Sequence, residues 1–102
     1  MSFELRKLTS KGLDEAVAGL KAIANPSRLQ ILCALLGNEL TVGDMAKQFG
    51  LSQSALSQHL SRMKSAGILT DRRAGNQVYY KLQEKDYEDL VKSLCKIYVK
   101  ES

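Results

Sequence analysis

One polar stretch of this chain carries most of its capacity for chemistry. Between Ser52 and Ala66, once the apolar positions are set aside, Ser52, Gln53, Ser54, Ser57, Gln58, Ser61, Arg62 and Lys64 remain, with His59 flanking them. These are the residue types a helix needs in a major groove: short hydroxyls permit close approach, amides pair with adenine edges, and cations meet guanine or phosphate. Surface helices usually carry glutamate, yet between residues 41 and 70 the sole acid is Asp44. Arg72 and Arg73 then lead into Gly75-Asn76, a tip slim enough to enter a minor groove or rest on phosphates. The plainer alternatives are a solvated helix face and an ordinary turn.

Other reactive groups are sparse. The chain has one histidine and two cysteines, no nucleophile motif and no glycine-rich phosphate loop, so there is no constellation from which to build an enzyme site. Cys33 and Cys95 both fall on apolar stripes, where a reduced thiol behaves as a small hydrophobe.

The elements that position these residues have legible ends. Leu13, Ala16, Val17, Leu20, Ile23 and Ala24 predict an amphipathic helix over 11–24. Asn25-Pro26 starts a second, with Leu29, Leu32, Cys33 and Leu36 on one stripe and Gly37-Asn38 at its end. Thr41 and Asp44 form a capping-box pattern opening a short helix through Phe49. After Gly50-Leu51, Ser52 caps the polar helix, which Gly67 ends. A short helix, a tight turn and a polar helix over 41–66 form a helix-turn-helix. Residues 68–82 then read as a β-hairpin turning at Ala74-Gly75-Asn76, and Tyr87, Leu90, Val91, Leu94, Cys95 and Tyr98 predict a last helix over 86–100. The expected fold is mainly α with a small β-hairpin: a winged helix-turn-helix of five helices and a two-stranded wing.

With 102 residues, the chain is expected to be one domain over 1–102 with a modest core that dimerisation would help. No apolar run approaches the ~18 residues of a membrane span, and the amino terminus has no signal-like stretch, so a cytoplasmic protein without a membrane partner is expected. Its net charge of +4 is localised. Residues 52–81 hold five cations and one acid, whereas the rest of the chain holds ten of each. That distribution suits a polyanion.

The run from LKAIANPSRLQILCALL through LSQSALSQHLSRMKSAGILTDRRAGNQVYYKL resembles the ArsR/SmtB family of winged helix-turn-helix regulators over about residues 13 to 99. The resemblance implies a homodimer through the first and last helices, with two recognition helices reading successive major grooves of a pseudo-palindromic operator. It carries DNA-contacting roles onto Ser52, Gln53, Ser54, Ser57, Gln58, His59 and Arg62, and onto Arg73, Gly75 and Asn76 in the wing. Metal sensing is not expected. The family's Cys-x-Cys is missing from Glu39–Asp44, the one histidine lies in the recognition helix, and Asp86, Glu88 and Asp89 alone are a poor set for a zinc-type ion. No cofactor is expected either.

RLQILCALL is similar to the second helix of the metal-independent, thiol-sensing HlyU/BigR/SqrR branch, in which oxidants or reactive sulfur species join two cysteines and release DNA. That likeness assigns Cys33 and Cys95 as the thiol pair. The branch's second cysteine corresponds to Val99, however, and Cys95 stands one turn earlier, a shift of about 6 Å along the helix. Because disulfides tolerate Cα separations of only about 4.4 to 6.8 Å, closure at residue 95 is expected to require helix sliding. Three roles therefore stay open: a regulator switched by thiol oxidation or persulfidation, a regulator of the same family without thiol sensing, and a winged-helix protein-interaction module.

Overall fold

The computed structural model describes residues 9–98. Five helices and a three-stranded antiparallel sheet follow in the order α1 (Ser10–Ile23), α2 (Pro26–Ala34), β1 (Leu40–Thr41), α3 (Val42–Phe49), α4 (Gln53–Ser65), β2 (Leu69–Ala74), β3 (Gln77–Leu82) and α5 (Lys85–Tyr98). The expected continuation of α5 to residue 100 lies outside the described residues. α2 stops at Ala34, sooner than its apolar stripe suggests, because the chain turns there through Leu35 to Gly37.

Local chemistry sets the boundaries. Asn25 Oδ1 accepts the Arg28 N–H at 3.1 Å, and Pro26 begins α2 where a missing N–H costs nothing. The capping box of α3 is complete: Thr41 Oγ1 accepts from the Asp44 N–H at 3.1 Å, and Asp44 Oδ2 accepts from the Thr41 N–H at 3.2 Å. Gly50 closes α3 at φ +67°, a left-handed conformation that glycine adopts without steric cost, and this lets α4 depart at once.

The wing differs from the two-stranded expectation. β3 is central: it pairs with β2 from Leu69↔Leu82 to Ala74↔Gln77, and on its other edge with β1 through Leu40↔Tyr80 and Thr41↔Tyr79. A two-residue strand whose second residue also caps α3 carries no detectable alternation, which is why its sequence gives no strand signal. β1 ties the base of the wing to the helix-turn-helix.

The core joins every layer. Ile31, Leu32 and Leu35 from the α2 region, Met45 of α3, Leu56, Leu60 and Met63 of α4, Ile68, Leu69 and Leu82 around the sheet, and Val91 of α5 are buried together. Burying one such side chain contributes roughly 1.5–3 kcal/mol, so α4 is anchored by three of them and its opposite face is free for other work. α1 behaves otherwise. Ala22 and Ile23 enter the core, but Leu13, Val17 and Leu20 stay exposed, Leu20 at 62%. On α5, Leu90, Ile97 and Tyr98 are exposed as well, Tyr98 at 73%. No helix among the described residues is long and apolar enough to cross a membrane.

Candidate nucleic-acid interface and the cysteine pair

α4 presents Gln53, Ser54, Ser57, Gln58, Ser61, Arg62, Lys64 and Ser65 as exposed side chains on the face opposite Leu56, Leu60 and Met63. Ser52 has a structural task of its own, since its Oγ accepts the Ala55 N–H at 3.1 Å and caps the helix. Arg73, Gly75 and Asn76 are exposed at the far end of the hairpin. Gly75 has φ +62° and, among the described residues, no non-glycine residue has a positive φ, the pattern of a type II′ turn, so glycine is required at the first turn position.

His59 is placed differently from its neighbours. It is half-buried on the flank of α4, and its Nδ1 accepts a hydrogen bond from Arg28 Nε at 3.1 Å. Burial, and then the charges of Arg28 and Arg62, hold its pKa below the ordinary histidine value. Arg28 also donates through Nη1 to the Lys21 carbonyl at 3.4 Å and the Ala22 carbonyl at 3.3 Å, so one guanidinium joins the last turn of α1 to α4. The sequence reading overlooked Arg28. It sits between Ser27 and Leu29 in the first turn of α2, and its partner lies 31 positions away, a separation no local pattern reveals.

The cations of residues 52–81 are not equally available. Lys64 Nζ pairs with Asp71 Oδ2 at 2.9 Å, which pushes the lysine pKa up. Arg72 donates through Nε and Nη2 to the two oxygens of Glu39, at 2.9 and 3.2 Å, and lies over the Tyr79 ring at 4.7 Å from its centroid. The Arg72 hydrogen bond holds the Glu39 carboxyl below the usual carboxylate range. Arg72 is thus occupied in fastening the wing to the residue before β1. Arg62, Arg73 and Lys81 form none of the ion pairs found among the described residues.

Cys33 of α2 and Cys95 of α5 are joined in a disulfide, their Cα atoms 6.6 Å apart. This corrects the expectation that the one-turn offset prevents closure without sliding. α5 packs on α2 in a register that sets residue 95 opposite Cys33, within the separation a disulfide tolerates. Val99, the position the resemblance indicated, lies outside the described residues. Among the described residues, no three His, Cys, Asp or Glu side chains gather as a metal-binding group.

Comparison with known proteins gives this arrangement a family. Residues 25–71 match the pattern of the bacterial regulatory protein, arsR family. The chain is 43% identical over 88 residues to the transcriptional activator HlyU of Vibrio cholerae, covering 86% of this chain and 82% of that protein. It belongs to the arsR family. Another relative, the biofilm growth-associated repressor of Xylella fastidiosa, is 34% identical over 93 residues, covering 91% of this chain and 82% of the repressor. The solved structure of HlyU from Vibrio cholerae superposes with a TM-score of 0.84 at 41% identity, covering 90% of this chain and all of that one (100%). The homodimeric winged helix-turn-helix DNA-binding domain from Mycobacterium bovis superposes at 0.83 with 29% identity, covering 94% of this chain and 89% of that domain. The relatives thus include a named activator and a named repressor, and none of these names is that of an enzyme.

Proposed function

We propose that this arsR-family protein is a cytoplasmic, sequence-specific DNA-binding transcriptional regulator that acts as a homodimer. The observation that carries this reading is the outward face of α4: eight exposed amide, hydroxyl and cationic side chains without an acid, on a helix whose other side is locked into the core. Laid in a major groove, Gln53, Ser54, Ser57, Gln58 and Arg62 meet base edges and phosphates, while Arg73, Gly75 and Asn76 bring the wing onto the adjoining backbone. His59 supports this face from its flank.

Dimerisation is supported by the exposed apolar residues of α1 and α5, which a monomer would leave in water. It is supported also by the homodimeric state of the Mycobacterium bovis domain. Pairing these helices would set two copies of α4 about 34 Å apart, one turn of duplex.

Cys33 and Cys95 form the proposed switch. In closing, the two thiols give up two protons and two electrons to an oxidant such as an organic hydroperoxide, which is reduced to water and an alcohol. The bond clamps α5, a dimer helix, to α2, which packs on α4, so its formation bears on the spacing of the two recognition helices. The test is operator affinity of the protein with the cysteine pair reduced and oxidised, alongside intact mass. The proposal expects a mass loss of about two hydrogens per protomer together with weakened binding. Unchanged affinity across the redox change would leave the disulfide a structural bond.

A further inference from the structure

The cleft where α1, α2 and α4 meet has chemistry that the α4 face alone does not explain. Lys21, Arg28, Ser61, Arg62 and Ser65 line a cavity of about 470 Å³ whose remaining wall is alanine, and no acid faces it. Arg28 is half-buried, and the partners of its guanidinium, two main-chain carbonyls and the unprotonated Nδ1 of His59, are all neutral. Its Nη2 has no acceptor among the described residues, and none of the ion pairs found among them includes Lys21, Arg28 or Arg62. A partly buried guanidinium held rigid beside two further cations, with no carboxylate, is a charge awaiting a counter-ion.

We propose that this cleft seats a backbone phosphate of duplex DNA, gripped by Arg28 with Lys21 and Arg62, and capped by the hydroxyls of Ser61 and Ser65. This inference rests on the DNA-binding reading above and extends its footprint beyond α4 and the wing. Arg28 suits the role because its fork is already oriented by three hydrogen bonds, so little ordering remains when phosphate arrives. A DNA phosphate is favoured over a free anion by continuity. Ser61 and Arg62 also line the neighbouring depression with Ser57 and Gln58, so the cleft opens directly onto the recognition face. The charged groups facing His59 are Arg28 from α2 and Arg62 from α4, both of which also line the cleft with Lys21 of α1; burial first, and then these two charges, disfavour its protonation. An anion among these cations offsets the part of that penalty due to their charge.

The single histidine reports on the cleft without labelling at other sites. In a first measurement, the ring of His59 is followed by NMR against pH with and without inorganic phosphate. Phosphate is expected to move its titration toward the ordinary histidine value in the parent and not in Arg28→Gln. In a second, duplex affinity is measured against salt for the parent, Lys21→Gln and Gln53→Ala. Lys21→Gln, an exposed substitution that folds whatever its role, is expected to weaken operator and unrelated duplex by the same factor and to flatten the salt slope by about one per protomer. Gln53→Ala is expected to weaken operator alone. Parent-like salt slopes in Lys21→Gln, with DNA binding intact, overturn the cleft assignment and spare the DNA-binding reading. A parent that retains no duplex while phosphate still moves His59 overturns DNA as the source of the phosphate and the DNA-binding reading together.

Discussion

On α4, eight exposed polar side chains follow one another along a single helix. Cys33 and Cys95, by contrast, are separated by 62 positions and meet because two helices pack. The first region uses side chains that the fold leaves unengaged: Leu56, Leu60 and Met63 hold the helix, and the residues opposite them make few bonds within the chain. In the second region, the reactive atoms are bonded to each other across a helix contact. Substitutions on the α4 face should therefore change recognition and leave stability alone. Changes at the cysteines should alter stability and redox response, and leave the affinity of the reduced protein alone.

The largest expected effect is on the cysteine side. A cross-link closing a loop of 62 positions restrains the unfolded chain by about 4 kcal/mol. Reductant should lower the denaturant midpoint of the parent accordingly, and Cys95→Ser should have the lower midpoint with no response to reductant. An equal response in parent and variant would break the contrast. Next is Gln53→Ala, expected to cost about 1–3 kcal/mol of discrimination between operator and unrelated duplex with thermal unfolding unchanged. Ser52 sharpens the comparison because it belongs to both fold and interface. Ser52→Ala should cost about 1 kcal/mol in chemical denaturation, and Ser52→Asn should restore it.

The smallest effects are in the pH dependence of stability. Arg72 lowers the pKa of Glu39 in the folded protein, so this pair contributes fully above the unfolded carboxylate value. That contribution is lost as pH falls through the folded value. Arg72→Gln should flatten this acid limb of the stability profile. His59 also has a lowered pKa, so between its folded and ordinary values the unfolded chain binds more protons, and stability declines as pH drops through that window. His59→Gln should remove the decline.

Much of the fold was legible because its signals are local. Asn25-Pro26, Thr41 with Asp44, and Ser52 each satisfy helix N–H groups within three residues, and all three caps are present. The inward set of α4 was legible from spacing alone. What escaped the sequence depends on distant partners. β1 is two residues long and exists because β3 offers it an edge. Of the five cations that gave residues 52–81 their charge, Lys64 and Arg72 are paired with acids, while Arg28, outside that segment, is brought beside Arg62. The resemblance placed the thiol pair one turn out because helix register is set by packing on α2, and the sequence of α5 does not encode it by itself. For the α4 face, the residues and their exposure were legible; the grip of Arg28 on His59 was not.

The central claim is that the α4 face of this chain reads a specific DNA sequence. It is tested most directly by incubating the reduced protein with fragmented genomic DNA at fixed salt and sequencing the retained fragments for the parent and for Gln53→Ala in parallel. The parent is expected to enrich a small set of fragments sharing a pseudo-palindromic site with half-sites one helical turn apart, and the variant to lose that enrichment while still retaining DNA at low salt. Equal enrichment by parent and variant, or no enrichment by the parent, would contradict it.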